Sequence, residues 1–136
     1  MIVIDTSALV AILSNEPERR LFNEIIEEAG SITISTANLL EARIVLYSRS
    51  GDHATLALDS FMLKSKMVVA TISEALGDLA FQAYRRFGKG TGHPAALNYG
   101  DCFSYALARS LNAPLLFKGN DFIHTDVISA YTSQHR

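Results

Sequence analysis

The 136-residue chain has no tryptophan, three prolines and a single cysteine. One cysteine excludes an internal disulfide. Cys102 sits among apolar neighbours and reads as a small buried hydrophobe, which suits a reducing compartment. No apolar run approaches the ~20 residues of a membrane span. The opening Met1-Ile2-Val3-Ile4-Asp5 lacks a basic leader and meets an acid at once, so it does not read as a signal peptide. The expectation is a cytoplasmic protein without a membrane partner. Excess charge of one sign is also missing: 12 Lys+Arg against 14 Asp+Glu leave a formal net charge of −2. That balance excludes polyanion binding driven by bulk charge, so a nucleic-acid partner would need a local basic strip. His53, His93, His124 and His135 are scattered and read as surface residues. No HExxH, CxxC or histidine cluster offers zinc chemistry.

What is present is globular. An apolar fraction of 49% and a charged fraction of 19% suit one domain, expected over residues 1–131 with 132–136 as a flexible tail. Short β-branched runs alternate with longer stretches of helical period. Strands are expected at Ile2–Ile4, Ser31–Ser35, Met67–Thr71 and Leu115–Phe117, with a short fifth over Val127–Ala130. Helices are expected from Ala8 to Leu13 capped by Ser7, and from Glu18 to Ala29, stopped by Gly30. Three more follow: from a Thr36 cap to about Ser50, from Gly51-Asp52 to about Ser65, and from Ser73-Glu74 to Phe87. Asn98 should cap a last one, from Tyr99 to about Asn112. Strands separated by helices imply crossovers and a mostly parallel central sheet covered on both faces, a three-layer α/β/α domain.

In such a sheet, ligands bind beyond the carboxyl ends of the strands. Asp5 ends the first strand and Asp121 follows the fourth, so both belong to that edge. Glu41 lies near the start of the helix after the second strand, in an otherwise apolar run, Leu39-Leu40-Glu41-Ala42. Asp101 lies in the first turn after Asn98, where it could equally complete a capping box. Carboxylates that converge cannot all stay ionised without a cation. Oxygen donors favour Mg²⁺ or Mn²⁺, which can activate water against a phosphodiester. The segment Arg85-Arg86-Phe87-Gly88-Lys89-Gly90-Thr91-Gly92-His93 is the one basic, glycine-rich strip. It matches neither GxxxxGK[ST] nor GxGxxG, and reads as a mobile exposed loop that could bring Arg86 and Lys89 to RNA phosphates.

The opening Val3-Ile4-Asp5-Thr6-Ser7-Ala8-Leu9 resembles the start of PIN-domain nucleases. Arg86 to Gly90, His93 to Cys102 and Leu115-Leu116-Phe117-Lys118-Gly119-Asn120-Asp121-Phe122 resemble the bacterial VapC-type toxins. The resemblance spans nearly the whole chain and is specific in these blocks; residues 50–80 are generic. It implies a PIN fold, a homodimer and Mg²⁺- or Mn²⁺-dependent endoribonuclease activity. It also implies a cognate VapB-type antitoxin that inserts a peptide into the site. The family's acids fall on Asp5, Glu41, Asp101 and Asp121, with Asp5 and Asp101 as metal ligands and Thr6, Ser7 and Asn120 in support. The competing readings are a catalytically inactive PIN-like RNA- or protein-binding module and a phospho-receiver domain. The receiver requires an acceptor aspartate after the third strand, and Met67-Val68-Val69-Ala70-Thr71 ends without one.

Overall fold

In the computed structural model, which describes residues 1–131, four strands form one fully parallel sheet in the order β3-β2-β1-β4. The strands are β1 (Ile2–Ile4), β2 (Ile32–Ser35), β3 (Val68–Ala70) and β4 (Leu115–Leu116). Register is set by pairs such as Ile2 with Ile32, Val3 with Leu115 and Ile34 with Val69. The helices are α1 (Thr6–Leu13), α2 (Arg19–Ala29), α3 (Thr36–Ser50), α4 (Asp52–Ser65), α5 (Glu74–Phe87) and α6 (Tyr99–Ser110). The tail expected at 132–136, and with it His135, lies outside the described residues.

The period-2 alternation of a strand sends neighbouring side chains to opposite faces, and here each face has its own core. Ile2, Ile4, Ile32, Ile34 and Leu116 pack with α1–α4. Val3 and Leu115 pack on the other side with Leu76, Ala80, Ala83 and Phe87 of α5 and Phe103, Ala106 and Leu107 of α6. This is the expected three-layer α/β/α arrangement, and it explains why β1, at the sheet centre, is wholly buried.

Several local expectations are corrected. The cap of α1 is Asp5, not Ser7, and the cap of α3 is Ser35, whose side chain accepts from Asn38 N, not Thr36. The fifth strand reduces to one bridge, Leu115 with Ser129: Leu115 N donates to Ile128 O, and Ala130 N donates to Leu115 O. A two-residue β4 offers no longer ladder. β3 lies at the margin of the sheet, where Val68 is 54% exposed. Residues 88–98 are not simply an exposed loop. Leu97 N donates to Phe87 O and Lys89 N to Leu97 O, and Ala95 and Leu97 are fully buried in the second core. His93 is half-buried, its Nδ1 accepting from Ala95 N at 3.0 Å and its ring edge-on to Phe87. The pinned loop starts α6 beside the end of α5, and that start carries Asp101.

Candidate active site

Asp5 is the most constrained acid of the molecule. It follows β1, and its backbone N–H donates to Leu116 O, so both neighbouring chain segments hold it. Its Oδ2 accepts from Ser7 N at 2.9 Å and Ser7 Oγ at 2.6 Å, while Oδ1 accepts a short bond from Ser104 Oγ of α6. The side chain is thus both the helix cap and a fixed member of the site. Burial pushes its carboxyl above the usual carboxylate range; the Ser104 and Ser7 donors oppose this without reversing it, and the charge of Glu41 adds to the rise.

Asp101 occupies the first turn of α6, whose helical backbone ends in unpaired N–H groups. Its Oδ2 accepts from Asn98 N at 3.0 Å and Asn98 Oδ1 accepts from Asp101 N at 2.9 Å, completing a capping box. Here too the capping role coexists with a place in the cleft. Asp101 is pushed up from 3.8 to about 7, chiefly by burial, against the Asn98 bond and with the charges of Asp5, Asp121 and Glu41 adding to the rise. The charges of Asp5, Asp121 and Glu41 all act on it, as they would among acids that line one cleft.

Glu41 arrives from α3 and is brought close by the absence of a side chain at Gly100. A Cβ on Gly100 would stand 2.5 Å from Glu41 Oε2 and 2.7 Å from Oε1. Asn38, one turn before Glu41, is buried and ties α3 to α6: its Nδ2 donates to Gly100 O at 2.9 Å, and its Oδ1 accepts from Ser35 Oγ. Thr6, expected to support Asp5 directly, instead donates to Asn38 O at 3.0 Å, so it braces α1 against α3. Ser7 does support the acid, and its Oγ also accepts from Lys118 N.

Asp5, Glu41, Asp101 and Asp121 line a single cleft of about 290 Å³ at the carboxyl edge of the sheet, together with Thr6, Ser7, Asn98, Arg49 and Lys118. Asp121 sits exposed just before the 3-10 turn Phe122–His124. Asn120 is exposed and does not line the cleft. The two basic residues expected at substrate are elsewhere. Arg86 donates to Tyr105 Oη at 3.3 Å, pairs with Asp126 at 3.5 Å and borders a different depression between α5 and α6. Lys89 is exposed on the loop and does not line the cleft either. Sequence reasoning passed over Ser104, Asn38, Gly100 and Arg49. Two of them left a trace: Ser104 is a polar residue one turn after Asp101 on an otherwise apolar helix face, and Gly100 is a glycine inside a helix, which costs up to ~1 kcal/mol against alanine and so suggests a packing reason.

The donor set is all oxygen and strongly anionic, which matches a hard divalent cation. Among the described residues no three His, Cys, Asp or Glu side chains stand close enough to hold an ion between them. One or two of these carboxylates with bound waters, the way Mg²⁺ is usually held, is the arrangement the set would offer an ion. Asp5 retains one lone pair for this, on Oδ1, since each carboxylate oxygen offers two and three are taken by Ser7 and Ser104.

Comparison with known proteins agrees with the geometry. The PIN domain family matches residues 2–128. "Ribonuclease VapC" of Mycolicibacterium smegmatis is 46% identical over 129 residues, covering 95% of this chain and 99% of that protein. "Ribonuclease VapC30" of Mycobacterium tuberculosis is 46% identical over 125 residues, covering 92% and 95%. The crystal structure of Mycobacterium tuberculosis VapC20, a sarcin-ricin loop cleaving toxin, superposes with a TM-score of 0.76 at 19% identity over 94% of this chain and 97% of that one. VapBC2 from Rickettsia felis, bound to a promoter DNA fragment, gives 0.70 at 17% identity over 95% and 96%. With its parallel sheet, its edge of acids and these relatives over nearly its full length, the chain belongs to the PIN-domain family and, within it, to the VapC ribonucleases.

Proposed function

We propose that the protein is an endoribonuclease acting as the toxin of a toxin–antitoxin pair, with Asp5, Glu41, Asp101 and Asp121 as its catalytic carboxylates. The observation that carries this reading is the meeting of these acids, from four separate stretches of chain, in one cleft at the carboxyl edge of the sheet. Mg²⁺ or Mn²⁺ held by Asp5 and Asp101 would supply charge compensation and an activated water.

The chain's own residues do the rest. Asp5 is fixed by three donors and cannot swing out of line. Asp101 is held by its capping bond, and with a carboxyl near 7 it exchanges a proton in the neutral range when no cation is present. Glu41, over Gly100, and Asp121, on the opposite loop, complete an acidic rim that can orient a water for in-line attack. Such a rim repels a phosphodiester unless its charge is compensated, which is the physical reason for expecting cation dependence.

The substrate class is RNA, as in the relatives named ribonucleases. An antitoxin partner is supported by the Rickettsia felis VapBC2 neighbour and by a toxin–antitoxin complex from Klebsiella pneumoniae, with a TM-score of 0.68 at 17% identity over 96% of this chain and 98% of that one. A homodimer is supported by the apolar groove between α5 and α6, where Phe81, Tyr84 and Tyr99 stand exposed and Tyr99 is 80% accessible. No helix among the described residues is long and apolar enough to cross a membrane.

The test is cleavage of RNA by purified protein with Mg²⁺ or Mn²⁺ and with chelator. We expect wild type to cut only with the cation, and Asp5→Asn to fold, by circular dichroism, yet not to cut. A folded Asp5→Asn protein that cleaves at the wild-type rate refutes the assignment.

A further inference from the structure

A cleft lined by four carboxylates must still hold a polyanion, and the basic loop that might have done so points elsewhere. Among the described residues, Arg49 and Lys118 are the cations that line it. Lys118 is already committed: its Nζ lies 2.7 Å from Glu16 Oε1 and 3.1 Å from Glu18 Oε2. Two glutamates on one ammonium leave no net positive charge for a phosphate. Arg49 has no ion pair among the described residues, whereas Arg43 on the same helix is paired with Asp59 and Arg86 with Asp126.

Its placement is specific. Glu41, Val45 and Arg49 recur at four-residue spacing and all face the cleft, one stripe on consecutive turns of α3. Eight residues of helix separate Glu41 from Arg49 by roughly 12 Å. That sets the backbone of Arg49 about two turns along the cleft from Glu41, so its side chain suits a phosphate neighbouring the one being cut better than the scissile phosphate itself. We propose that Arg49 is a positioning residue that binds a backbone phosphate of RNA flanking the cut, a role that rests on the ribonuclease reading. Its planar fork can take two phosphate oxygens at once, which a lysine cannot.

A purely structural role would be different. As a cation in the last turn, Arg49 also complements the helix dipole, and there lysine would serve as well, with no effect on RNA. The experiment separates the two with a 5′-fluorescein single-stranded oligoribonucleotide titrated at several NaCl concentrations. The protein is Asp5→Asn, which on the ribonuclease reading binds without cutting, with and without Arg49→Ala. Removing one phosphate contact should weaken binding about tenfold and make the slope of log K against log [salt] shallower by about 0.7; Arg49→Lys should restore most of the slope. In the otherwise wild-type protein, Arg49→Ala should raise KM about tenfold with kcat nearly unchanged, the mark of lost uniform binding. This kinetic arm decides independently of the binding arm. Equal KM, affinity and salt slope with and without Arg49 overturn the proposal and leave the ribonuclease reading standing. Failure of the wild-type protein to cut any RNA overturns both.

Discussion

Replacing Asp101 with asparagine should make the cation-free protein more stable at pH 8 while abolishing its activity. Asp101 is held at about 7 instead of 3.8, chiefly by burial and then by the charges of Asp5, Asp121 and Glu41. A folded-state carboxyl above its unfolded value means that the native protein binds more protons than the unfolded chain between about pH 4 and 7. Stability therefore falls as pH rises through that window, and the penalty is complete above it. At ~1.4 kcal/mol per tenfold in proton affinity, the full displacement is roughly 4 kcal/mol. The carboxylate reaches water through the open cleft, and screening should leave about 1–2 kcal/mol. Asparagine keeps an oxygen for Asn98 N–H, so the capping bond survives. In chelator, urea denaturation should give Asp101→Asn and wild type similar stability at about pH 3.5, below the unfolded-state value, with the variant ahead by about 1–2 kcal/mol at pH 8. Mg²⁺ at pH 8 should close the gap by stabilising wild type alone, as a ligand of the native state does. Asp5, also raised, is common to both proteins and largely cancels. Parallel stability curves for the two proteins from about pH 3.5 to 8 would refute the reasoning, because the burial and charge repulsion it depends on would then be absent.

Two further outcomes test the supports of the site. Gly100→Ala places a Cβ 2.5 Å from Glu41 Oε2, a flexible end that can swing away. Stability should hold or rise by up to about 1 kcal/mol from helix propensity, while RNA cleavage drops by about tenfold or more because Glu41 is displaced; paired melting curves and initial rates check this. Ser104→Ala removes the donor to Asp5 Oδ1 in a fully buried position. Chemical denaturation should show a loss of about 1–3 kcal/mol, and Mg²⁺ titration an affinity weaker by about 10–100-fold, as when a group that orients a ligand is lost.

The layered architecture was legible because it follows from local period. Ile2-Val3-Ile4 and Ile32-Thr33-Ile34 are strands by composition, and the crossover rule turns strands separated by helices into a parallel sheet. The Asn98 cap and its Asp101 partner were legible for the same reason, since they lie three residues apart. Asp5 and Asp121 could be placed on the ligand-binding edge because both follow strands. The cap of α1 was misread because Ser7 and Asp5 both suit the position by residue type, and only the backbone decides that Asp5 accepts from Ser7 N.

Residue types and short-range spacing determined the class of fold and marked the acids that gather at the sheet edge, since propensity, capping and period act over a few residues. Tertiary packing decided the rest. Asp5 meets Ser104 across 99 positions, Glu41 reaches α6 only because Gly100 has no side chain, and Arg49 faces the cleft while Arg86 is drawn to Asp126. Such pairings depend on how helices seat against the sheet. No local pattern encodes them, because a side chain's partner across the fold is chosen by close packing and by the cost of leaving a buried polar group unpaired.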